Sequence, residues 1–322
     1  MSTTLPSTLT IATRKSRLAL WQADHIQQRL QALGHTVTLL GLSTVGDQIL
    51  DRSLSKVGGK GLFVKELESA LADSKAHLAV HSLKDVPMQL PEGFVLACVP
   101  ERGNPHDAFV SNDYLRLEDL PPGAVVGTSS LRRQVLLHHL RPDLTIKPLR
   151  GNIDTRLRKL DEGEFSAIVL AAAGLERLGL QARIRMQFTA EQMLPAAGQG
   201  ALGIEVQTQE SALIATLQAL AHPPTWLATA AERAVSRNLG GSCSVPLAAH
   251  AVWSAEAPGE LLLRAAWGDP SGQQALIQVS ACKAVAQIDQ AEQLGAEVAQ
   301  QLLDAGAHVQ PETEQSPNGI HQ

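Results

Sequence analysis

The chain opens on a pattern that few folds accept: a short apolar strand, an arginine-bearing turn, an amphipathic helix and a second apolar strand. Leu9–Ala12 is short and apolar enough to be a buried strand. Ser16 stands where a side chain can cap a helix. Leu18, Trp21, Ile26, Leu30 and Leu33 then fall roughly on one face until Gly34 stops it. Val37–Leu42 reads as the next strand. Such a βαβ unit implies a parallel sheet. The same alternation returns further on, with Ala124–Gly127, a helix through Leu140, Leu144–Leu149, a helix opened by Arg150-Gly151-Asn152, and the very apolar Ala167–Ala171.

Between these units lie a flexible basic loop, Lys56–Gly61, a helix from Leu62 to Ala72, and strands at His77–His81 and Phe94–Val99. The chain changes domain near Glu101–Asn104. Pro195–Gly200 reads as a hinge, and Ala201–Val206 as a strand returning to the first sheet. Two crossings between two α/β lobes leave a cleft, which is where such folds bind ligands. After Pro223-Pro224 come a helix at Trp226–Asn238, a glycine-rich loop, strands near Leu247–Trp253, Leu261–Trp267 and Ala275–Cys282, and a helix from Ile288 to Ala305. The expected division is residues 1–100 with 201–218, residues 101–200, and a small α+β domain at 219–310. A polar, disordered tail at 311–322 completes it.

Composition supports this division. Only 3% of residues are aromatic, so the cores must be Leu, Val, Ile and Ala. Net charge is -5, which gives no overall attraction to nucleic acid or anionic membrane. Ser130–Leu160 runs against that balance, with eight basic residues and two acidic ones. The three cysteines, Cys98, Cys243 and Cys282, are too scattered for a disulfide framework or a metal site. The N-terminus lacks the pattern of a signal peptide, and no apolar run is long enough to span a membrane. A cytoplasmic protein with no metal is expected.

Three segments each join a predicted strand to a helix: Thr13–Arg17, Gly127–Arg133 and Arg150–Arg156. Helix N-termini expose N–H groups and partial positive charge, so arginine there is electrostatically misplaced. An anionic ligand would resolve the conflict. Solvated surface charge or interdomain salt bridges would resolve it equally well for any one turn. None of the turns matches a nucleotide-binding glycine pattern. Asp85, next to Lys84 past a strand end, could act as an acid or base or face a developing cation, though an ordinary turn accounts for it too. Cys243, in Gly240-Gly241-Ser242-Cys243, is a candidate nucleophile or attachment point, or a small buried residue. Gly58–Gly61 could form a lid bringing Lys56 and Lys60 to an anion, or be plain linker. A two-lobed binding protein for an anionic small molecule and a thiol hydrolase are alternatives on these residues alone.

Taken in order, several segments resemble the porphobilinogen deaminase family, also called hydroxymethylbilane synthases. They are Ile11–Arg17 (IATRKSR), Lys56–Leu67 (KVGGKGLFVKEL), Val80–Pro87 (VHSLKDVP), Asp107–Ser111 (DAFVS), Val126–Gln134 (VGTSSLRRQ), Leu149–Leu157 (LRGNIDTRL), Leu194–Gly200 (LPAAGQG) and Ala231–Pro246. The resemblance implies two lobes like those of periplasmic binding proteins and a small α+β C-terminal domain. It implies a transferase of tetrapyrrole biosynthesis that joins four porphobilinogen molecules, with loss of ammonia, into hydroxymethylbilane. The chain would grow on a dipyrromethane cofactor held by a thioether to Cys243. By the same resemblance Asp85 is catalytic. Lys84, Asp85, Thr128, Ser129, Ser130, Arg132, Arg133, Arg150 and Gly151 hold the cofactor. Arg14, Ser16, Arg150, Arg156 and Gln199 meet the substrate, and Lys56, Lys60 and Phe63 belong to the lid. A monomer whose partners are porphobilinogen and the growing oligopyrrole is expected. Arg17 departs from the family, whose members commonly have proline there.

Overall fold

The computed structural model describes residues 5–48, 64–240, 245–270, 272 and 274–308. In chain order the first lobe holds β1 (Thr8–Arg14), α1 (Arg17–Ala32), β2 (Thr36–Leu42), the short α2 (Val45–Gln48), α3 (Lys65–Ala72), β3 (Leu78–Ser82) and β4 (Phe94–Cys98). The second holds β5 (Asp107–Val110), β6 (Val125–Gly127), α4 (Leu131–Leu140), β7 (Thr145–Lys147), α5 (Ile153–Asp161), β8 (Ala167–Ala171), α6 (Ala172–Arg177) and β9 (Met186–Gln187). The chain then returns through β10 (Leu202–Gln207) and α7 (Ser211–Leu217). It ends in α8 (Pro223–Asn238), β11 (Leu247–Trp253), β12 (Glu260–Trp267), β13 (Ile277–Ala284) and α9 (Ile288–Asp304).

The first sheet runs β2-β1-β3-β10-β4 and the second β7-β6-β8-β5-β9. The βαβ units form the expected parallel pairs, and further antiparallel strands make each sheet mixed. β1 is parallel to β2 and β3, but β10 is antiparallel to both β3 and β4. Likewise β6 is parallel to β7 and β8, while β5 is antiparallel to β8 and β9. The physical reason lies in the crossings. β5 is the first strand after the chain enters the second lobe, and β10 the first after it returns. Each enters from the shared edge of the lobes and so runs against the strands laid down by βαβ winding.

The two crossing segments lie side by side. Gly103 N donates to Gly200 O at 3.1 Å, and Arg102 Nε donates to Gln199 O at 2.7 Å. Gly200 has φ +86°, and a Cβ there would stand 2.7 Å from Asn104 O, so only glycine allows this approach. The third sheet, β11-β12-β13, is an antiparallel meander. Its inner face packs on α8 and α9 around Leu261, Leu263, Val235, Leu294 and Val298.

Helix starts follow the sequence closely. Ser16 Oγ accepts from Ala19 N at 3.3 Å, Ser130 Oγ from Arg133 N at 3.5 Å, and Asn152 Oδ1 from Thr155 N at 2.9 Å. α8 begins with two prolines behind the capping residue His222. The predicted helix start at Leu62 and the tail at 311–322 lie outside the described residues.

Candidate active site

Parallel strands end where helix N-termini begin, so the turns after β1, β3, β6 and β7 carry the candidate residues. The turns after β6 and β7 are stitched together. Ser129 Oγ donates to Leu149 O at 2.9 Å and accepts from Leu149 N at 3.0 Å. Thr128 is buried, and its Oγ1 accepts from Ser130 N at 3.2 Å. These hydroxyls shape the turns. Gly151 has φ +103°, and a Cβ there would meet Thr155 at 2.8 Å, which forces glycine at the tightest point.

The arginines divide into two sets. Arg132 and Arg133 are buried against Asp107, the first residue of β5. Arg132 Nη1 reaches Asp107 Oδ2 at 2.6 Å and Leu194 O at 2.8 Å. Arg133 holds Asp107 Oδ1 through Nε at 2.9 Å and Nη2 at 2.7 Å, and donates Nη1 to Val169 O at 3.0 Å. Burial alone would push the Asp107 carboxyl up. The two guanidiniums outweigh it and hold the group well below the usual carboxylate range. At this turn an internal carboxylate balances the arginines, so of the readings open to a single turn the salt bridge applies here. Gln199 closes the cluster, fully buried, donating Nε2 to Asp107 Oδ1 at 3.0 Å and to Pro105 O at 2.7 Å.

Lys84, Arg150 and Arg156 form the second set. Lys84 Nζ donates to Gln199 Oε1 at 3.4 Å. Burial pushes Lys84 down to about 8; Asp85 opposes the shift, and Arg133 adds to it. Arg156 donates Nε to Gly151 O at 2.8 Å. Burial takes it down to about 10, with Arg133 and Arg150 lowering it further and Asp85 opposing. Arg150 is lowered by desolvation. Neither Arg150 nor Arg156 makes a salt bridge with a described carboxylate. Asp85 therefore lies in the field of two half-buried cations, Lys84 and Arg156. Arg14 and Ser16 sit half-buried at the end of β1 and the start of α1.

Arg177, which no sequence motif marks, braces the crossing segment at Gly200. Its Nη2 donates to Gly200 O at 2.6 Å, its guanidinium lies 5.7 Å from the Trp21 ring centre, and burial takes it down to about 10. No helix was expected around it, so nothing marked it out. Cys243, Lys56, Lys60 and Phe63 lie outside the described residues. Cys98 is core, with burial raising its thiol to about 12. An open cavity of about 710 Å³ lies on another face, lined by His106, His250 and Trp253 among others; it holds none of the candidates. No cluster of metal-ligating side chains occurs among the described residues.

Residues 9–215 match the family model described as porphobilinogen deaminase, dipyromethane cofactor binding domain, and residues 226–304 match porphobilinogen deaminase, C-terminal domain. The chain belongs to the porphobilinogen deaminase family. It is 66% identical over 299 residues to the porphobilinogen deaminase of Albidiferax ferrireducens, covering 93% of this chain and 94% of that one. It is 58% identical over 309 residues to that of Burkholderia ambifaria, covering 95% and 93%. Among solved structures, a nutrient binding protein from Burkholderia cenocepacia bound to methionine aligns at TM-score 0.43 and 14% identity, over 65% of this chain and 90% of that one. That likeness is weak, and the fold rests on the topology above.

The members are transferases of tetrapyrrole biosynthesis that use a dipyrromethane cofactor, and the site fits such a group. A dipyrromethane carries several carboxylates. The second set supplies cations whose pKa values burial lowers, and the carboxylates of the group would offset that cost. Within the helices described, none is long and apolar enough to cross a membrane.

Proposed function

We propose that this chain elongates an oligopyrrole on a primer attached to Cys243, with Asp85 as the catalytic carboxylate and the second arginine set as the carboxylate cradle. The observation that supports it most is the placement of Asp85 within the field of the half-buried cations Lys84 and Arg156, whose pKa values burial lowers. When bound, the dipyrromethane supplies the pyrrole carbon on which the chain grows.

The protein's own residues do the rest. Lys84, Thr128, Ser129, Ser130, Arg132, Arg133, Arg150 and Gly151 line the primer's place. Arg132 and Arg133 act mainly by stiffening the wall, since three of their hydrogen bonds go to Asp107. Arg14, Ser16, Arg150, Arg156 and Gln199 receive the acetate and propionate of incoming porphobilinogen. Asp85 faces the pyrrole N–H groups. As ammonia leaves, positive charge develops on the ring, and a fixed carboxylate stabilises it without reorganisation. Lys56, Lys60 and Phe63 close over the site. The chain works as a cytoplasmic monomer. Its functional units are residues 1–100 with 201–218, residues 101–200, and residues 219–310.

Intact mass tests the reading. The purified chain should exceed its sequence mass by one dipyrromethane, give colour with an aldehyde reagent for pyrroles, and lose both properties in Cys243→Ser. Asp85→Ala should keep its fold and lose elongation. A bare mass in an active preparation, or wild-type turnover in Asp85→Ala, would refute it.

A further inference from the structure

The turn that carries Lys84 and Asp85 has little to hold itself in place. Leu83–Asp85 makes one 3-10 turn. Its own backbone bond is Val86 N to Leu83 O at 3.2 Å, and Leu83 N is tied to Ala201 O at 3.0 Å. A lone 3-10 turn has poor hydrogen-bond geometry and takes its position from its surroundings.

Those surroundings are supplied by α8, which belongs to the C-terminal part of the chain. Arg233, buried to 6% exposure, sends its guanidinium to the carbonyls on both sides of the Lys84-Asp85 pair. Nη1 donates to Leu83 O at 3.4 Å and Val86 O at 3.1 Å, and Nη2 donates to Pro87 O at 2.6 Å. Trp226 stands two helical turns earlier on α8 and packs against the cluster that contains Leu83 and Val86. The same helix face therefore grips the turn twice, once through its apolar side chains and once through its carbonyls.

The next residue along looks elsewhere. Glu232 holds the lobe linkers, accepting from Arg102 Nη1 at 2.6 Å and Gly198 N at 2.7 Å, and it also accepts from Ala251 N in β11 at 2.9 Å. Arg102 and His250 outweigh the burial penalty and bring Glu232 down to about 2. α8 thus seats the Asp85 turn and the linkers on one rigid element.

We propose that Arg233 is a positioning residue: it fixes where the Asp85 carboxylate stands, without touching substrate. This rests on the role given to Asp85. A planar fork is needed to meet three carbonyls at once, and an ammonium presents one point charge on a flexible stem. Displacements of about 1 Å at a reacting group cost on the order of 100-fold in rate.

The test compares Arg233→Lys, Arg233→Ala and Asp85→Ala with the parent. Readouts are intact mass for primer loading, kcat and KM for porphobilinogen, and hydrogen exchange of residues 83–90 in the unprimed chain. Arg233→Lys should load primer, keep KM within about threefold, and lose about 10- to 100-fold in kcat. Exchange at the Val86 amide should quicken. Guanidinium ion should restore part of the kcat of Arg233→Ala and leave Asp85→Ala inactive. Should Arg233→Ala fail to fold, Arg233→Lys alone decides. Wild-type kcat with unchanged exchange in Arg233→Lys would overturn the proposal, as would a rise in KM at constant kcat. Wild-type turnover in Asp85→Ala would instead overturn the role of Asp85, and is distinguishable because it does not involve Arg233.

Discussion

Arg132 and Arg133 at the start of α4, and Arg150 and Arg156 around the start of α5, are written alike in the sequence and do different work. Each pair lies at a turn between a strand and a helix in the same lobe. The first pair is neutralised from within by Asp107, which arrives on β5 from 25 residues away. The second pair makes no salt bridge with a described carboxylate, and burial lowers both of its pKa values. A guanidinium beside a helix N-terminus therefore signals an anion without saying whose. The answer depends on which strand is inserted next to the turn, and that is a property of topology.

The largest expected effect breaks the first pair. Asp107→Asn keeps the shape and removes the charge, leaving two buried guanidiniums uncompensated. Loss of one partner from such a buried pair costs about 3–5 kcal/mol. Urea unfolding should show it as a shifted midpoint at constant slope. A loss below about 1 kcal/mol would mean that the cluster is solvated and that the two pairs do not differ. The pH sign agrees: because the folded Asp107 carboxyl is depressed, its stabilisation is present above the unfolded pKa and disappears as pH falls through the folded one.

Breaking the second pair should do the reverse. Arg156→Leu removes a cation that burial already disfavours, so stability should hold or rise slightly. Turnover should fall about 100-fold, the equivalent of roughly 2.7 kcal/mol of transition-state stabilisation. Primer loading by intact mass and kcat/KM for porphobilinogen check this. If Arg156→Leu melts early and retains its rate, the division between structural and ligand-facing arginines is wrong.

The contrast also explains what the sequence could tell. Winding was legible wherever apolar strands and capped helices alternate, as at Leu9–Ala12, Ser16 and Ala167–Ala171. β5 was not, although its residues stand in one of the family segments. Four residues beginning with an aspartate show no periodicity, and Asp107 is buried only because two arginines meet it. α6 went unread for a similar reason: at six residues it is too short to show a face, and Arg177 was missed with it. Asp85 could be placed after β3, but the grip of Arg233 on its turn joins residues about 150 apart. No local pattern carries that information.

Lys84 offers a smaller effect that separates the two sets by pH. Its folded pKa of about 8 lies below the ordinary lysine value, because burial disfavours the charged form. The unfolded chain then binds more protons between the two values, so this group makes stability rise with pH from about 8 toward 10.5. Lys84→Met should abolish that rise. It should also remove the fall in primer loading expected above about pH 8, where Lys84 loses its charge in the unprimed chain. Rates of mass gain across pH 7–9.5, measured on unprimed protein, give the comparison. A loading profile identical in the parent and Lys84→Met would show that Lys84 does not meet the primer's carboxylates.

Arg17 is a third kind of arginine at a strand-to-helix turn, and the smallest effect belongs to it. Its Nη1 meets Asp154 Oδ1 at 3.0 Å and its Nη2 meets Leu178 O at 3.3 Å, so it bridges α1 of the first lobe to α5 and α6 of the second. The placement is electrostatically sensible. Asp154 sits in the first turn of α5, and Leu178 caps the C-terminus of α6. Yet the two side chains are 56% and 47% exposed, and exposed pairs contribute about 0.2–1 kcal/mol, screened by salt. Arg17→Ala should therefore leave stability almost unchanged and alter kcat by less than about fivefold at low salt. At about 1 M salt, where the Debye length is roughly 3 Å, parent and variant should coincide. A larger loss that persists in salt would place Arg17 among the residues that hold the ligand, and would reduce the three kinds of arginine turn to two.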